Sequence, residues 1–260
     1  MNRIKNLFGE KNKNVLSIYF TAGFPELNST MQILHQLQEH GVDMVELGMP
    51  FSDPLADGPI IQRSSELALK NGMNLDLLFE QTKEMRKQIS IPVILMGYLN
   101  PLLQYGIEKF LQRAAENGFN GLIIPDLPLR EYELHYKLLF EKYNLKNIFL
   151  ITPQTSEQRI KQIDDASEAF IYLVSSASTT GVRDNFSAEQ EQYFSRIASY
   201  KLKNPLLTGF GISNRQTFEQ TCKYVNGAII GSAFIKVLQT ENYETVIEKF
   251  IYSIKQKEPV

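Results

Sequence analysis

Eight short runs in this chain are apolar at nearly every position, and between them lie stretches whose apolar residues recur at helical spacing. The runs cover residues 16–21, 44–47, 93–97, 122–125, 148–152, 170–175, 206–208 and 228–230. A strand with one wet face alternates apolar and polar side chains, whereas a strand without that alternation must be covered on both sides. The intervening segments, among them 29–40, 60–71, 75–88, 107–117, 131–143, 157–166, 188–200, 215–224 and 233–238, pair a charged face with an apolar one and supply that cover. Strand and helix repeated eight times over 260 residues is the pattern of a parallel (β/α)8 barrel. An open, doubly wound sheet has the same periodicity and stands as the alternative. Further helical pieces at 3–8 and 243–255 are expected to cover the barrel's ends. No stretch reads as a linker, so residues 1–260 are expected to form a single domain.

One strand carries an anomaly. In Asp43-Met44-Val45-Glu46-Leu47 a carboxylate stands where its neighbours are apolar, and the Gly/Pro-punctuated loop that follows adds Asp53 and Asp57. A carboxylate buried in an apolar strand is costly unless it is paired or used. Two carboxyls in contrasting environments are what general acid/base catalysis requires. On these residues alone a second reading stands beside it, in which Glu46 pairs with a core cation and the aspartates cap turns.

In a closed barrel the site lies where the strands end and the βα loops begin. Those ends bring Thr21, Glu46, Tyr98 with Asn100, Asp126, Thr152, Tyr172 with Ser175, the 209–211 turn and Gly231 with Ser232. The three histidines, His35, His40 and His135, fall on helical segments, which argues against a histidine triad or metal centre. No lysine occupies a strand's C-terminal end, since Lys146 precedes its strand, which disfavours Schiff-base chemistry. Asp53 and Asp57 beside Glu46 make only a weak divalent-cation pattern. The single Cys222 lies in a helical stretch and reads as a small buried thiol. A net charge of -2 without a basic run argues against nucleic acid or an anionic membrane as partner. The first fourteen residues are polar and basic with no apolar core, and no stretch reaches the roughly 18 apolar residues of a membrane span. A cytoplasmic protein is therefore expected.

The late glycines point to a phosphate. Gly209-Phe210-Gly211 ends one strand and Gly231-Ser232 the next, and barrels often hold a substrate phosphate on the loops after their last two strands. The tight turns alone would also account for these glycines. The segment 175–187, small, polar and glycine-containing, suits a lid over the mouth, although a plain surface loop would have the same composition.

The segment 47–59, LGMPFSDPLADGP, resembles a signature of the tryptophan synthase alpha subunit family. FTAGFP at 20–25, GFGIS at 209–213 and GSAFIKVL at 231–238 extend the resemblance over the full chain. The resemblance implies a lyase that cleaves indole-3-glycerol phosphate to indole and glyceraldehyde 3-phosphate, without metal or cofactor of its own. It implies catalytic roles for Glu46, Asp57 and Tyr172. It also implies phosphate contacts at Gly181, Gly211, Gly231 and Ser232, with Thr180 beside them. Tyr19, Ile61, Tyr98 and Phe210 are expected to sandwich the indole, or simply to fill the barrel. The family works as an α2β2 heterotetramer with a pyridoxal-phosphate β subunit, and Asp53 and Asp126 match positions near that interface. Their other reading is turn capping. The chain departs from the family at Ser176-Ala177-Ser178-Thr179-Thr180, where an arginine and a glycine commonly open the lid. Two further readings accompany the subunit: a stand-alone lyase that releases indole, and a non-catalytic phosphate-ligand-binding activator of a partner.

Overall fold

Each of the eight apolar runs forms a strand in the computed structural model, which describes residues 2–174, 187–209, 211–240 and 242–255. They are β1 (Val15–Thr21), β2 (Met44–Gly48), β3 (Val93–Met96), β4 (Gly121–Ile123), β5 (Lys146–Ile151), β6 (Ile171–Val174), β7 (Leu206–Gly209) and β8 (Gly227–Ile230). All pair in parallel with their sequence neighbours, and β8 returns to β1 through Val15↔Gly227 to Ile18↔Ile230, so the sheet closes. Every residue of β1, β2, β4, β7 and β8 is buried. Burial on both faces is the condition the uninterrupted apolar runs impose. The open sheet is thereby excluded.

The helices form the outer layer. Local chemistry sets their starts: the Asn74 side chain accepts from Leu77 N, Ser156 from Arg159 N and Asn214 from Thr217 N, each satisfying a donor that has no partner within its helix. Tyr243–Lys255 packs against Thr30–Glu39 and closes the ring where the chain ends.

Three helical expectations change. The stretch expected to run over 75–88 stops at Gln81, beyond which Lys83 N bonds Glu80 O and Met85 N bonds Thr82 O, three residues back rather than four. A 3-10 turn, Met85–Lys87, follows. The expected helix over 131–143 opens with a π turn, Tyr132–Tyr136. An additional helix, Leu99–Tyr105, follows β3. Lys146 begins β5 rather than preceding it, and so still lies at the strand's N-terminal end.

Side chains lock that N-terminal end of the barrel. Arg86 donates to Gly118 O at 2.8 Å, Ile91 O at 2.7 Å and Asn120 Oδ1 at 2.8 Å. Asn120 Oδ1 also accepts from Val93 N, which joins the entries of β3 and β4. Asn2 caps the first helix, Arg3–Glu10, and donates to Asn120 O and Asn144 O, seating that helix across the bottom. Asp43 ties Leu16 N to Lys11 in the same layer.

Candidate active site

Glu46 lies in the middle of β2, in register with Tyr19 of β1 and Ile94 of β3, and has no solvent exposure. Ser17 Oγ reaches its Oε1 at 3.5 Å, and Oε2 has no hydrogen-bond partner among the described residues. Burial drives its carboxyl from an ordinary 4.5 up to about 8, against a small opposing pull from Ser17. The proton is favoured on this group at neutral pH because burial takes the carboxylate out of water. Among the described residues no cation pairs with Glu46, so the alternative reading finds no partner there.

Asp57 ends the loop after β2. Its Oδ2 accepts from the Tyr98 hydroxyl at 3.1 Å, and that same hydroxyl accepts from Ala56 N at 2.9 Å. Tyr98 thus grips the loop at two adjacent residues. Burial raises the Asp57 carboxyl from 3.8 to about 6, with the Tyr98 hydrogen bond pulling the other way. At pH 7 Glu46 is mainly neutral and Asp57 mainly ionised, which separates an acid from an anion.

Two further phenols complete the arrangement. Tyr172 of β6 is 4 % exposed, and its hydroxyl is pushed well above its ordinary value by burial first, then by Glu46, Asp57 and Tyr19. Burial acts on Tyr19 likewise, followed by Asp57, with smaller contributions from Tyr98 and Glu46. Because β6 is not adjacent to β1 or β2, these groups meet only across the barrel's interior. Room for the rings comes from glycine. A Cβ on Gly48 would overlap the Tyr19 hydroxyl, and one on Gly209 would overlap the Tyr172 hydroxyl and stand 2.8 Å from Tyr172 Cε1.

The expected residues fall into four groups. Glu46, Asp57, Tyr172, Tyr19 and Tyr98 are gathered in one electrostatic cluster. Ile61 and Tyr19 both border Gly231, whose added Cβ would lie 3.7 Å from Ile61 Cδ1 and 3.4 Å from Tyr19 Cδ1. Gly231 precedes the helix Ser232–Leu238, and Gly211 adopts a left-handed φ of 80° in the turn after β7. Thr180, Gly181, Phe210 and the 175–186 part of the expected lid lie outside the described residues. Asp53 and Asp126 are exposed: Asp53 accepts from Ser52, and Asp126 accepts from Leu99 N at 2.9 Å at the start of the Leu99–Tyr105 helix.

Two features escape a linear reading. Tyr98 was expected to pack on a ring system, yet its hydroxyl is bonded to Asp57, 41 positions away in sequence. Ser17 belongs to an apolar strand and passes for a small core residue. Among the described residues no group of three or more His, Cys, Asp or Glu stands ready to hold a metal ion. Burial raises the Cys222 thiol to about 12, which leaves it unreactive.

The family model for the tryptophan synthase alpha chain matches residues 6–259. This chain belongs to that family. The alpha chain of Flavobacterium johnsoniae is 56 % identical over 255 residues, covering 98 % of this chain and all of the relative. That of Bacteroides thetaiotaomicron is 50 % identical over 93 % of this chain and 94 % of its own length. Among solved structures, the alpha chain from Legionella pneumophila is 34 % identical with a TM-score of 0.88, covering 98 % of this chain and 97 % of the other. The subunit from Pyrococcus furiosus is 33 % identical with a TM-score of 0.86, over 95 % of this chain and all of the other. Family membership carries the alpha role in tryptophan biosynthesis, a lyase activity, and implies a β-subunit partner. No helix among the described residues is long and apolar enough to cross a membrane.

Proposed function

We propose that this chain cleaves indole-3-glycerol phosphate with Glu46 as proton donor and acceptor and Asp57 as the anion that stabilises the reacting ring. The observation that carries the reading is the split between the two carboxyls, one near 8 with an unpartnered oxygen and one near 6 held by Tyr98. Indole does not leave as a carbanion, so the ring carbon bearing the glycerol chain must first take a proton. Glu46 gives it, and positive charge develops at the ring nitrogen. Asp57 accepts the N–H and stabilises that charge in a site poor in water. Glu46, now ionised, takes the proton of the glycerol hydroxyl next to the scissile bond. The carbon–carbon bond breaks, its electron pair returns to the ring, and the aldehyde forms. Glu46 is protonated again and no net proton is consumed. Tyr172 orients the glycerol chain or Glu46. Gly211, Gly231 and Ser232, with Thr180 and Gly181, hold the phosphate, while Tyr19, Ile61, Tyr98 and Phe210 flank the indole.

The reaction as written calls for no metal and no cofactor in this chain; pyridoxal phosphate belongs to the β partner. The partner is proposed to bind the open face of the barrel in an α2β2 heterotetramer. Leu55, between Asp53 and Asp57, is 94 % exposed, and Leu103 on the Leu99–Tyr105 helix is 49 % exposed. Large apolar side chains this bare, beside the mouth, suit a surface that a second chain covers. A single domain working in the cytoplasm accords with this role.

Indole release from indole-3-glycerol phosphate by the purified chain, with chelator present, tests the reading without and then with a β subunit. Slow release that rises with the partner is expected. Absence of release in both conditions refutes it.

A further inference from the structure

Among the described residues, Ser17 is the one polar side chain within hydrogen-bonding reach of Glu46. It lies on β1 two positions before Tyr19, in register with Met44 on β2 and Ile229 on β8, and neither it nor Glu46 has any exposure. A hydroxyl at such a depth is costly without a partner, and its partner is Glu46 Oε1 at 3.5 Å. The two Glu46 oxygens are therefore not equivalent. Oε1 faces the Ser17 hydroxyl, and Oε2 has no partner among the described residues. We propose that Ser17 is a positioning residue for the lyase reaction, holding Oε1 so that Oε2 is the oxygen that exchanges the proton with substrate. This inference rests on the acid/base role of Glu46 proposed above.

The chemistry suits a hydroxyl. With the carboxyl protonated on Oε2, Ser17 donates to the carbonyl-like Oε1. With the carboxylate ionised it donates to the same oxygen, more strongly. The bond spans both halves of the catalytic cycle without moving, and a long contact of this kind tightens once substrate fixes the opposite side of the group. The titratable groups facing Glu46 are Tyr19 from β1 and Tyr172 from β6, both neutral throughout the working range. Asp57 in the following loop titrates near 6, well below Glu46. Ile94 presents no charge from β3.

The test uses Ser17→Ala together with the isosteric pair Ser17→Thr and Ser17→Val, each with the β subunit, reading kcat, KM, the pH profile and the unfolding midpoint. Losing one hydrogen bond from the reacting group is expected to lower kcat about fivefold in the Ala and Val variants, with KM little changed. The alkaline limb, where Glu46 gives up its proton, moves to higher pH, because the lost bond favoured the ionised form. Thr, which keeps the hydroxyl, returns the limb to its original place. If Ala and Val leave kcat and the limb in place and change only the unfolding midpoint, Ser17 is a packing residue and the inference is overturned. Glu46→Gln measured in parallel separates the two levels. Full turnover in that variant removes the acid/base reading and this inference with it. An inactive Glu46→Gln beside unaffected Ser17 variants removes this inference alone.

Discussion

Replacing Glu46 with glutamine tests the site through stability as well as through rate. The group's folded value, about 8, lies above its unfolded 4.5, so the neutral form favours folding. That contribution is complete below pH 4.5 and is lost as pH rises to 8, because the unfolded chain surrenders the proton first. At pH 6 the difference already costs about 2 kcal/mol, and at pH 9 about 4.7 kcal/mol, at about 1.4 kcal/mol per pH unit. Between those two pH values the wild type should therefore lose about 2.7 kcal/mol that Glu46→Gln keeps.

A single comparison at one pH does not isolate this quantity. The glutamine amide inherits a pocket with one hydroxyl and an unpartnered side, which costs roughly 1–3 kcal/mol. That cost does not vary with pH, so it cancels when the wild-type-minus-variant difference at pH 6 is subtracted from that at pH 9. Other titrating groups cancel likewise, since they are shared. Urea unfolding followed by far-ultraviolet circular dichroism at both pH values supplies the four stabilities. The same variant should lose at least ~100-fold in kcat. A double difference below about 0.5 kcal/mol, the usual additivity error, would refute the reasoning: Glu46 would titrate as an ordinary carboxyl and would have no claim to be the neutral acid at pH 7.

Three other changes probe the surroundings. Tyr98→Phe removes the donor to Asp57, so the Asp57 value should rise above about 6 and the acid limb of kcat/KM should move up by about one pH unit; a stationary limb would detach Tyr98 from Asp57. Gly209→Ala places a methyl group where the Tyr172 ring lies, and turnover should fall together with the near-ultraviolet tyrosine signal. Unchanged turnover there would mean that the ring's position is not critical. Arg86→Met strips the entries of β3 and β4 of their shared donor and should cost about 3 kcal/mol in urea unfolding while kcat is unchanged; an equal fall in kcat would show that the two ends of the barrel are coupled.

The barrel is legible in the chain because burial on both faces leaves no polar alternate in a strand, and that absence is visible without a structure. Glu46 is legible for the converse reason, as the one carboxylate inside such a run. The Leu99–Tyr105 helix is not: Pro101 falls in its first turn, where the missing N–H is harmless, but in a linear reading that proline looks like a break. The Tyr98–Asp57 bond is hidden by its span, which only closure of the sheet brings within reach. Asp57 shows what sequence leaves out of electrostatics. Its place in a polar loop suggests an ordinary aspartate, yet burial raises it to about 6, so the anion proposed to stabilise the ring begins to take up its proton just below neutrality.

The distribution of polar groups along the barrel axis explains how the fold tolerates such a site. At the N-terminal end Arg86, Asn120, Asn2 and Asp43 are matched with carbonyls, amides or a counter-charge. In the middle of β2, Glu46 keeps an oxygen with no partner among the described residues. A buried carboxyl without a cation opposes folding as soon as it ionises, and several kcal/mol at alkaline pH is a large part of a typical domain's 5–15 kcal/mol. That end has no reacting atoms to serve, and the bonds of Arg86, Asn120, Asn2 and Asp43 stabilise it, although Asn147 Oδ1 near the start of β5 has no partner among the described residues. Filling the Glu46 pocket with a permanent partner would steady the protein and hold the carboxyl in one protonation state. The proposed chemistry needs both states within one turnover, so that oxygen has to wait for substrate.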